Sequence, residues 1–417
     1  MQTRNALILA ILLASFCAQP LLPSDLALVG AKVYLSPNVP PIENATIIVH
    51  NGRITAVGPT TTTKPPRLAR AVTVIDCKGM VVTAGFWNSH VHIFTAGLLH
   101  SERLTSIELS LQMEQMFSRR GFTTVFDIAS VLDNTNRIRR RIETGEVRGP
   151  RILTVGEPFY AKGATPVYIR GFLEENHITL PEVDSVPQAV ERVRQQIRDG
   201  ADGIKIFAGS IQAGSILLMP QDLATAIVAE AHCAGKPVFA HPSNTEGIEV
   251  ALNGGVDVLA HTAPTGGSWP PSLVERMKAA HMALIPTLTL FDVEAKKFGE
   301  SPEDTEKWIN LAVEQLKTYS DAGGQILFGT DVGYTDHFDT AEEFTLMSRA
   351  GLSFQQILAS LTTNPAERFG HASHSGRIAK NMDADLVILS ADPSQDVTAF
   401  SKVAFTIRHG KIIFTKP

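Results

Sequence analysis

The sequence has little of what marks several common classes of protein. Only three cysteines occur in 417 residues, which excludes a framework of several disulfides. Basic residues are not in excess, because 37 lysines and arginines face 42 aspartates and glutamates. The charge balance therefore disfavours binding to a nucleic acid or to an anionic membrane surface. The remaining composition, 44% hydrophobic and 19% charged, is that of a globular protein, for which we expect a small-molecule substrate.

The apolar run at the N-terminus is too short to span a membrane. It extends from Ala6 to Ala18 behind Arg4, whereas a membrane-spanning helix needs roughly 20 apolar residues. A short apolar run behind a positive charge is typical of a secretory signal peptide. We predict a signal peptide over residues 1–18, a secreted or periplasmic location, and no membrane span once the signal is removed. Of the three cysteines, Cys77 and Cys233 then remain, and we expect both to be buried.

Both ends of the chain have the pattern of short β-strands. The segment "ATIIVHNGRITAVG" places two alternating runs around Asn51-Gly52, which is a strong hairpin signal. The segment "AFTIRHGKIIFTK" near the C-terminus repeats the pattern around His409-Gly410. We therefore predict that residues 24–82 and 371–417 pair into one small β-sandwich domain.

Residues 83–370 alternate between short apolar strands and amphipathic helices. In "SVPQAVERVRQQIRDG", for example, a helix is expected between Ser185 as its N-cap and Gly200 past its end, and the strand "GIKIFA" follows. Repeated units with such short turns favour a parallel sheet with helices outside. The number of units predicts an α/β fold of the (β/α)8 TIM-barrel type for this region.

Six ionisable side chains stand at the ends of different predicted barrel strands. The C-terminal ends of barrel strands meet at one face, so these side chains should converge on one site. Histidine and aspartate together are a usual set of zinc ligands. The six residues are His90 and His92 in "GFWNSHVHIF", Lys205 in "GIKIFA", His241 in "PVFAH", His261 in "DVLAH" and Asp331 in "ILFGTD".

Such a set predicts a hydrolytic metal centre. A divalent metal lowers the pKa of a bound water to about 7, and two metals roughly 3.5 to 4 Å apart also polarise a carbonyl or phosphoryl oxygen. We predict two divalent ions, with zinc favoured, although iron or manganese can occupy the same ligands. Asp331 is suited both to bind a metal and to act as the catalytic residue that carries a proton to the leaving group.

Lys205 is the unusual member, because an unpaired ammonium on a buried strand is costly. Carboxylation by CO2 would turn its side chain into a carbamate anion that can bridge two metals. The alternative is an unmodified lysine paired with a nearby carboxylate. The five other residues of the set favour the bridging carbamate.

At these residues the chain resembles the metal-dependent amidohydrolase superfamily, in particular its imidazolonepropionase-like and Xaa-Pro dipeptidase-like branch. The resemblance covers nearly all of the chain after the predicted signal peptide. It lies in "IIVHNGRITAVG" and "VIDCKGMVVTAGFWNSHVHIF" at the entry to the barrel, and in "GRIAKNMDADLVILSADP" at the return to the sandwich.

The resemblance implies a metal-dependent hydrolase barrel over residues 83–370 and a role for each candidate ligand. The implied ligands are His90, His92 and Asp331 for one metal, His241 and His261 for the second, and the carbamate of Lys205 for both. The implied reaction is the attack of a metal-bound hydroxide on the amide (C–N) bond of a small substrate such as a dipeptide or an N-acyl amino acid.

Several alternatives stay open at this point. The same binuclear site would serve a lactonase, a phosphotriesterase-like enzyme or a cyclic-amide hydrolase, whereas a mononuclear deaminase-type site would leave Lys205 unmodified. A catalytically silent scaffold is disfavoured, because the chain retains all six ligands. Tyr334 and His337 in "VGYTDHFD" are candidates for substrate contacts at the pocket mouth. The amphipathic helices are also compatible with a homo-oligomer.

Overall fold

The computed structural model describes residues 25–65 and 72–417. The chain forms an α/β barrel and a β-sheet that is assembled from both chain ends, which confirms the predicted fold class. The predicted signal peptide, residues 1–18, lies outside the described residues, so export stays a prediction. Within the described ranges, none of the helices combines the length and the apolar character that crossing a membrane requires.

Five strands precede the barrel. The turn between the second and the third uses Asn51 and Gly52, whose φ angles of 51° and 76° are the left-handed values that an Asn-Gly hairpin requires. The predicted hairpin is therefore present. The five strands are β1 (Asp25–Val33), β2 (Ile42–His50), β3 (Arg53–Pro59), β4 (Val72–Asp76) and β5 (Val81–Ala84).

Seven parallel strands of the middle region form the wall of the barrel. They divide into a three-stranded sheet, β6-β7-β8, and a four-stranded sheet, β11-β14-β15-β16, whereas β9 pairs with β10 and β12 forms a hairpin with β13. The strands of this region are β6 (Phe86–Val91), β7 (Phe122–Asp127), β8 (Arg151–Thr154), β9 (Tyr160–Ala161), β10 (Glu182–Val183), β11 (Ile204–Phe207), β12 (Gly209–Gln212), β13 (Ser215–Leu218), β14 (Val238–His241), β15 (Val258–Ala260) and β16 (Ala283–Ile285).

The eighth barrel strand, expected in "QILFGTD", is not a regular strand. Residues 325–331 are instead joined to both neighbouring strands by backbone hydrogen bonds. Leu284 N donates to the oxygen of Gln325 (2.9 Å), and Ser89 N donates to the oxygen of Phe328 (2.7 Å). On the other side of the barrel, Phe159 N donates to the oxygen of Lys205 (2.8 Å) in the same way. Short runs of backbone hydrogen bonds therefore join the two sheets at both places.

Helices cover the outside of the barrel as the periodicity predicts. The helix predicted after Ser185 is α4, which has Ser185 at its N-cap position, although that side chain makes no capping hydrogen bond. Gly200 follows its end with a φ of 100°. The helices are α1 (Ser106–Met116), α2 (Leu132–Glu143), α3 (Val167–Glu175), α4 (Val186–Arg198), α5 (Gln221–Cys233), α6 (Thr245–Gly254), α7 (Pro271–Ala279), α8 (Leu290–Phe298), α9 (Pro302–Asp321), α10 (Ala341–Arg349), α11 (Phe354–Leu361) and α12 (Thr363–Arg368).

The last three strands return to the sheet of the first five. They are β17 (Leu386–Leu389), β18 (Val403–Arg408) and β19 (Lys411–Thr415). The strand β17 runs antiparallel to β5, which joins the two chain ends in one eight-stranded sheet. Because one edge of β1 pairs first with β4 and then with β5, the sheet branches there. The sheet has its own core, which includes Leu28, Ile47 and Ile388.

The two cysteines within the described residues differ in burial. Cys77 belongs to the core of the β-domain and is fully buried, as expected. Cys233 is exposed, so the expectation that it is buried was wrong. It is the last residue of α5 and lies off the buried face of that helix, which includes Ile227 and Ala231.

We predict that Gly121→Ala destabilises the junction between the barrel and the end sheet. Gly121 has a φ of 87°, and a Cβ there would lie 2.7 Å from the ring of Phe86 and 3.2 Å from Cγ1 of Val387. The matched control is Gly163→Ala, because Gly163 has a φ of 74° with no atom within 4 Å of its added Cβ. Urea unfolding should show a loss of about 1–2 kcal/mol for the control and about 1–3 kcal/mol more for Gly121→Ala. Equal losses would contradict the packing argument.

Candidate metal centre and substrate cavity

The end of β6 brings His90 and His92 together. As residues two apart in an extended chain, they point to the same side, and their Nε2 atoms lie 3.2 Å apart. His90 is fully buried, and the His92 side chain is 14% exposed. The backbone around them is fixed by the segment 328–332, since His92 N donates to the oxygen of Val332 at 2.8 Å.

Asp331 completes a group of three converging donor atoms. Its Oδ1 lies 3.1 Å from Nε2 of His90 and 2.7 Å from Nε2 of His92, and all three ligand atoms lie within 4.8 Å of one another. Oδ1 is buried yet makes no hydrogen bond of acceptable geometry. Two imidazole nitrogens and a carboxylate oxygen that face one point are a typical set of metal donors. The residues therefore fit a divalent metal.

The other three predicted ligands adjoin this group and line the same cavity. The His261 ring lies 4.5 Å from the ring of His90 and 4.9 Å from that of His241, measured between centroids. Lys205 is 2% exposed, and its Nζ lies 5.8 Å from the ring centroid of Phe207. The structure thus brings all six predicted residues to one end of the barrel.

Hydrogen bonds orient the imidazoles toward the cavity. His92 Nδ1 lies 3.0 Å from the carbonyl oxygen of Ala129 and donates to it, which directs Nε2 toward Asp331. His261 Nδ1 lies 2.7 Å from Oγ1 of Thr287, whose own hydroxyl donates to the oxygen of Pro286. The hydroxyl therefore accepts from His261. Partners of this kind fix the tautomer of a metal-binding histidine.

Four residues of the site have a left-handed backbone although none is glycine. Such a conformation costs of order 1–3 kcal/mol per residue and is found mostly at functional sites. At the ends of β15 and of segment 325–331, this turn directs a ligand side chain into the cavity. The four residues and their φ angles are Ser243 (60°), His261 (76°), Thr287 (45°) and Asp331 (60°).

Burial favours the uncharged form of three imidazoles of the site. It lowers the pKa of His90 to about 3, although the carboxylate of Asp331 opposes this shift. It lowers the pKa of His241 to about 3 as well, and it holds the pKa of His261 well below its ordinary value. Metal binding needs neutral imidazole, so these histidines are ready to coordinate at neutral pH.

The two other ionisable groups have shifted pKa values for different reasons. Burial lowers the pKa of Lys205 to about 7, and Asp331 opposes that shift. Burial would raise the pKa of Asp331, but His90 and His92 hold it well below its usual range. At neutral pH the site therefore holds an ionised carboxylate beside a lysine that is partly unprotonated.

A cavity of about 490 Å³ opens above these residues. Its wall is largely aromatic and apolar, as in many sites for small organic ligands. Tyr334 lines the cavity, and its Oη lies 2.5 Å from Oε1 of Glu294. His337 is not among the lining residues, and its Nε2 lies 3.9 Å from Oε2 of Glu342. Substrate contacts by Tyr334 and His337 stay predictions.

Three residues of the site were not predicted from the sequence. Thr287, which holds His261, carries no sequence signal, because its position depends on a left-handed turn. Glu294 and Lys297 also line the cavity. The spacing of these two residues after Leu290 matches one face of a helix, and that signal could have identified them.

We predict that Thr287→Val weakens metal binding. The change removes the hydroxyl that accepts from His261 Nδ1, and loss of such a partner typically costs about 10–100-fold in metal affinity. Competition with a chelator measures the zinc affinity. The control is Thr262→Val, because the Thr262 hydroxyl is buried next to the same histidine without a hydrogen-bond partner. Equal affinities of the two variants would contradict the orienting role of Thr287.

We also predict that acid destabilises the metal-free protein. The folded-state pKa of His90 lies below its unfolded value of 6.5, so the folded protein binds fewer protons. The contribution to stability is complete above pH 6.5 and is lost as the pH falls toward 3. The loss is about 1.4 kcal/mol per pH unit for each such histidine. Urea unfolding of chelator-treated protein at several pH values in this range measures it, and a midpoint that does not change with pH would contradict the prediction.

Comparison with known proteins agrees with this geometry. The sequence profile of the Amidohydrolase family matches residues 81–413. Ochratoxinase of Aspergillus niger is 23% identical over 405 residues, which cover 87% of this chain and 80% of that protein. Imidazolonepropionase of Thermoplasma acidophilum is 24% identical over 401 residues, which cover 90% of each chain.

A solved structure supports the same fold. The crystal structure of a Xaa-Pro dipeptidase with methionine bound in its active site superposes with a TM-score of 0.79 at 21% identity. The superposition covers 94% of this chain and all of that one. The family profile spans well over half of the chain and includes all six converging residues. The protein is therefore a hydrolase that belongs to the amidohydrolase family, as the resemblance of its motifs predicted.

Proposed function

We propose that the protein hydrolyses an amide bond in a small substrate, such as a dipeptide or an N-acyl amino acid, at a centre of two divalent metals. The convergence of His90, His92 and Asp331 at the base of a cavity is the observation that carries the proposal. The names of the relatives, an ochratoxinase and a Xaa-Pro dipeptidase among them, are consistent with cleavage of a C–N bond.

The chain offers donors for two ions. His90, His92 and Asp331 would hold one, His241 and His261 would hold the second, and a carbamate on Lys205 would reach both. Imidazole and carboxylate donors favour zinc. Bound there, a divalent ion lowers the pKa of a water and polarises the substrate carbonyl.

The surroundings of Lys205 support its carboxylation. No carboxylate of the described residues lies within 4.0 Å of its Nζ, so an ion pair does not account for a buried lysine. Its pKa of about 7 leaves a large neutral fraction at neutral pH. The neutral nitrogen can attack the carbon of CO2, and an N–C bond forms while one C=O electron pair moves to oxygen. Loss of a proton from the nitrogen then gives the carbamate anion.

Asp331 is placed to move the proton that hydrolysis requires. Its carboxylate is ionised, because the pKa is held low, and it is only 3% exposed at the base of the cavity. It can accept a proton from the attacking water and pass it to the leaving nitrogen, which departs as an amine. The burial of Asp331 strengthens these electrostatic interactions.

Lys205→Ala should separate the binuclear proposal from a mononuclear site. Protein grown with zinc and bicarbonate should hold two metals per chain and carry the added mass of one CO2. The variant should lose the added mass and one metal. Its activity on dipeptides and N-acetyl amino acids should fall more than about 100-fold, since changes in the second shell alone cost 10–100-fold.

The control is Lys307→Ala, because Lys307 pairs with Glu303 and Asp304 on the exposed side of α9 and should change none of these quantities. Elemental analysis, native mass spectrometry and amine release provide the measurements. One metal per chain, no added mass and an active Lys205→Ala variant would together overturn the bridging role.

A further inference from the structure

One face of α8 forms part of the cavity wall. Residues three, four and seven apart lie on the same face of a helix. The opposite side of α8 carries an ion pair between Asp292 and Lys296, whose atoms lie 2.5 Å apart. The residues of α8 that line the cavity follow this spacing and are Leu290, Phe291, Glu294, Lys297 and Phe298. An acid and a base therefore stand within an otherwise apolar face.

Glu294 is engaged by a tyrosine. Its carboxylate accepts a hydrogen bond from Tyr334 Oη at 2.5 Å. Burial raises the pKa of Glu294, although the bond from Tyr334 opposes that shift. The ring of Tyr334 also meets the ring of Tyr168 edge-on, with centroids 5.6 Å apart. These contacts fix the position of the Tyr334 ring in the cavity wall.

Lys297 lies over that fixed ring. Its Nζ is 4.0 Å from the ring centroid of Tyr334, a cation–π distance. Among the described residues, no carboxylate lies within 4.0 Å of this ammonium. Its neighbour Lys296, by contrast, is paired with Asp292 on the other side of the helix. Lys297 acts on Glu294 only at longer range, where its charge opposes the upward shift of the pKa of that carboxyl, so it presents a positioned positive charge without an ion pair.

This charge is the main one that the cavity offers to an anionic substrate. Apart from Lys205 in the proposed metal centre, no other lysine or arginine of the described chain lines the cavity. The cavity wall that α8 and α9 contribute also includes Phe291, Phe298 and Trp308. An apolar wall next to one cation matches a ligand that carries a hydrophobic group next to one carboxylate.

We propose that Lys297 binds the carboxylate of the substrate and that the aromatic wall of α8 and α9 takes a bulky apolar side chain beside it. The substrate class is then an N-acyl or N-aminoacyl derivative of an aromatic or large aliphatic amino acid. The amine that leaves is the amino group of that acid. This inference rests on the proposed function, because it names the substrate class of the same site.

Two amides that differ only in the carboxylate test the proposal. N-acetyl-L-phenylalanine and N-acetylphenethylamine share the phenyl group and the scissile bond, and the second lacks the carboxylate. The zinc-loaded full chain should prefer the acid by at least about tenfold in kcat/KM, the effect of one charge-assisted contact. Lys297→Met should abolish the preference through a higher KM for the acid alone. Lys297→Arg should retain most of it, and the matched control Lys296→Met should leave it unchanged.

A binding measurement separates failure of this inference from failure of the proposed function. Calorimetry on the same zinc-loaded proteins compares hydrocinnamate, which has a carboxylate, with 3-phenylpropanol, which has none. Lys297→Met should weaken the binding of hydrocinnamate about tenfold and leave that of the alcohol unchanged. If neither amide is hydrolysed but this difference is seen, the proposed function fails and the carboxylate subsite stands.

The inference is overturned if Lys297→Met weakens the binding of the acid and of the neutral ligand equally, or weakens the binding of neither. It is also overturned if the wild-type protein hydrolyses N-acetylphenethylamine as well as the acid. Because Lys297 is exposed at the cavity mouth, its replacement should not unfold the chain, and equal melting temperatures of the Lys297 and Lys296 variants would verify that.

Discussion

The geometry of the site depends on the backbone pairing between the end of β6 and residues 328–332. Ser89 N donates to the oxygen of Phe328, Asp331 N donates to that of His90, and His92 N donates to that of Val332, at 2.7, 2.9 and 2.8 Å. These three bonds place the carboxylate of Asp331 against both imidazoles. They also require a glycine next in the chain, since a Cβ on Gly333 would lie 1.8 Å from the carbonyl oxygen of His92. Without this pairing the six donors would not share one cavity.

The positions of the metal-binding candidates could be predicted from the sequence because they depend on local patterns. A strand such as "PVFAH" ends where its apolar run ends, and the barrel then brings that end to the common face. The left-handed turn at Asp331, which ends segment 325–331, could not be predicted, because a single aspartate does not specify that conformation. The role of Thr287 could not be predicted either, since it depends on a left-handed turn, whereas the helical spacing of Lys297 after Leu290 was a usable signal. Cys233 was predicted wrongly because composition does not tell which face of α5 is buried.

The proposed metal ligands and the residues at the cavity mouth stand on different structural elements. The proposed ligands stand on buried strands and are held by hydrogen bonds such as that from His261 to Thr287. The groups that we propose to contact the rest of the substrate stand instead on α8 and on the loop that carries Tyr334, at the mouth of the cavity. On this proposal, substitutions on α8 would change substrate preference and leave the proposed metal ligands in place.

The division of the barrel into two sheets has a further consequence. His90 and His92 extend from the three-stranded sheet, whereas Lys205, His241 and His261 belong to the four-stranded one or to its immediate end. Backbone bonds of Phe159 and of residues 325–332 join the two sheets. Ions bound by residues of both sheets would therefore hold the two sheets together. The metal centre would then stabilise the barrel as well as supply the reaction chemistry.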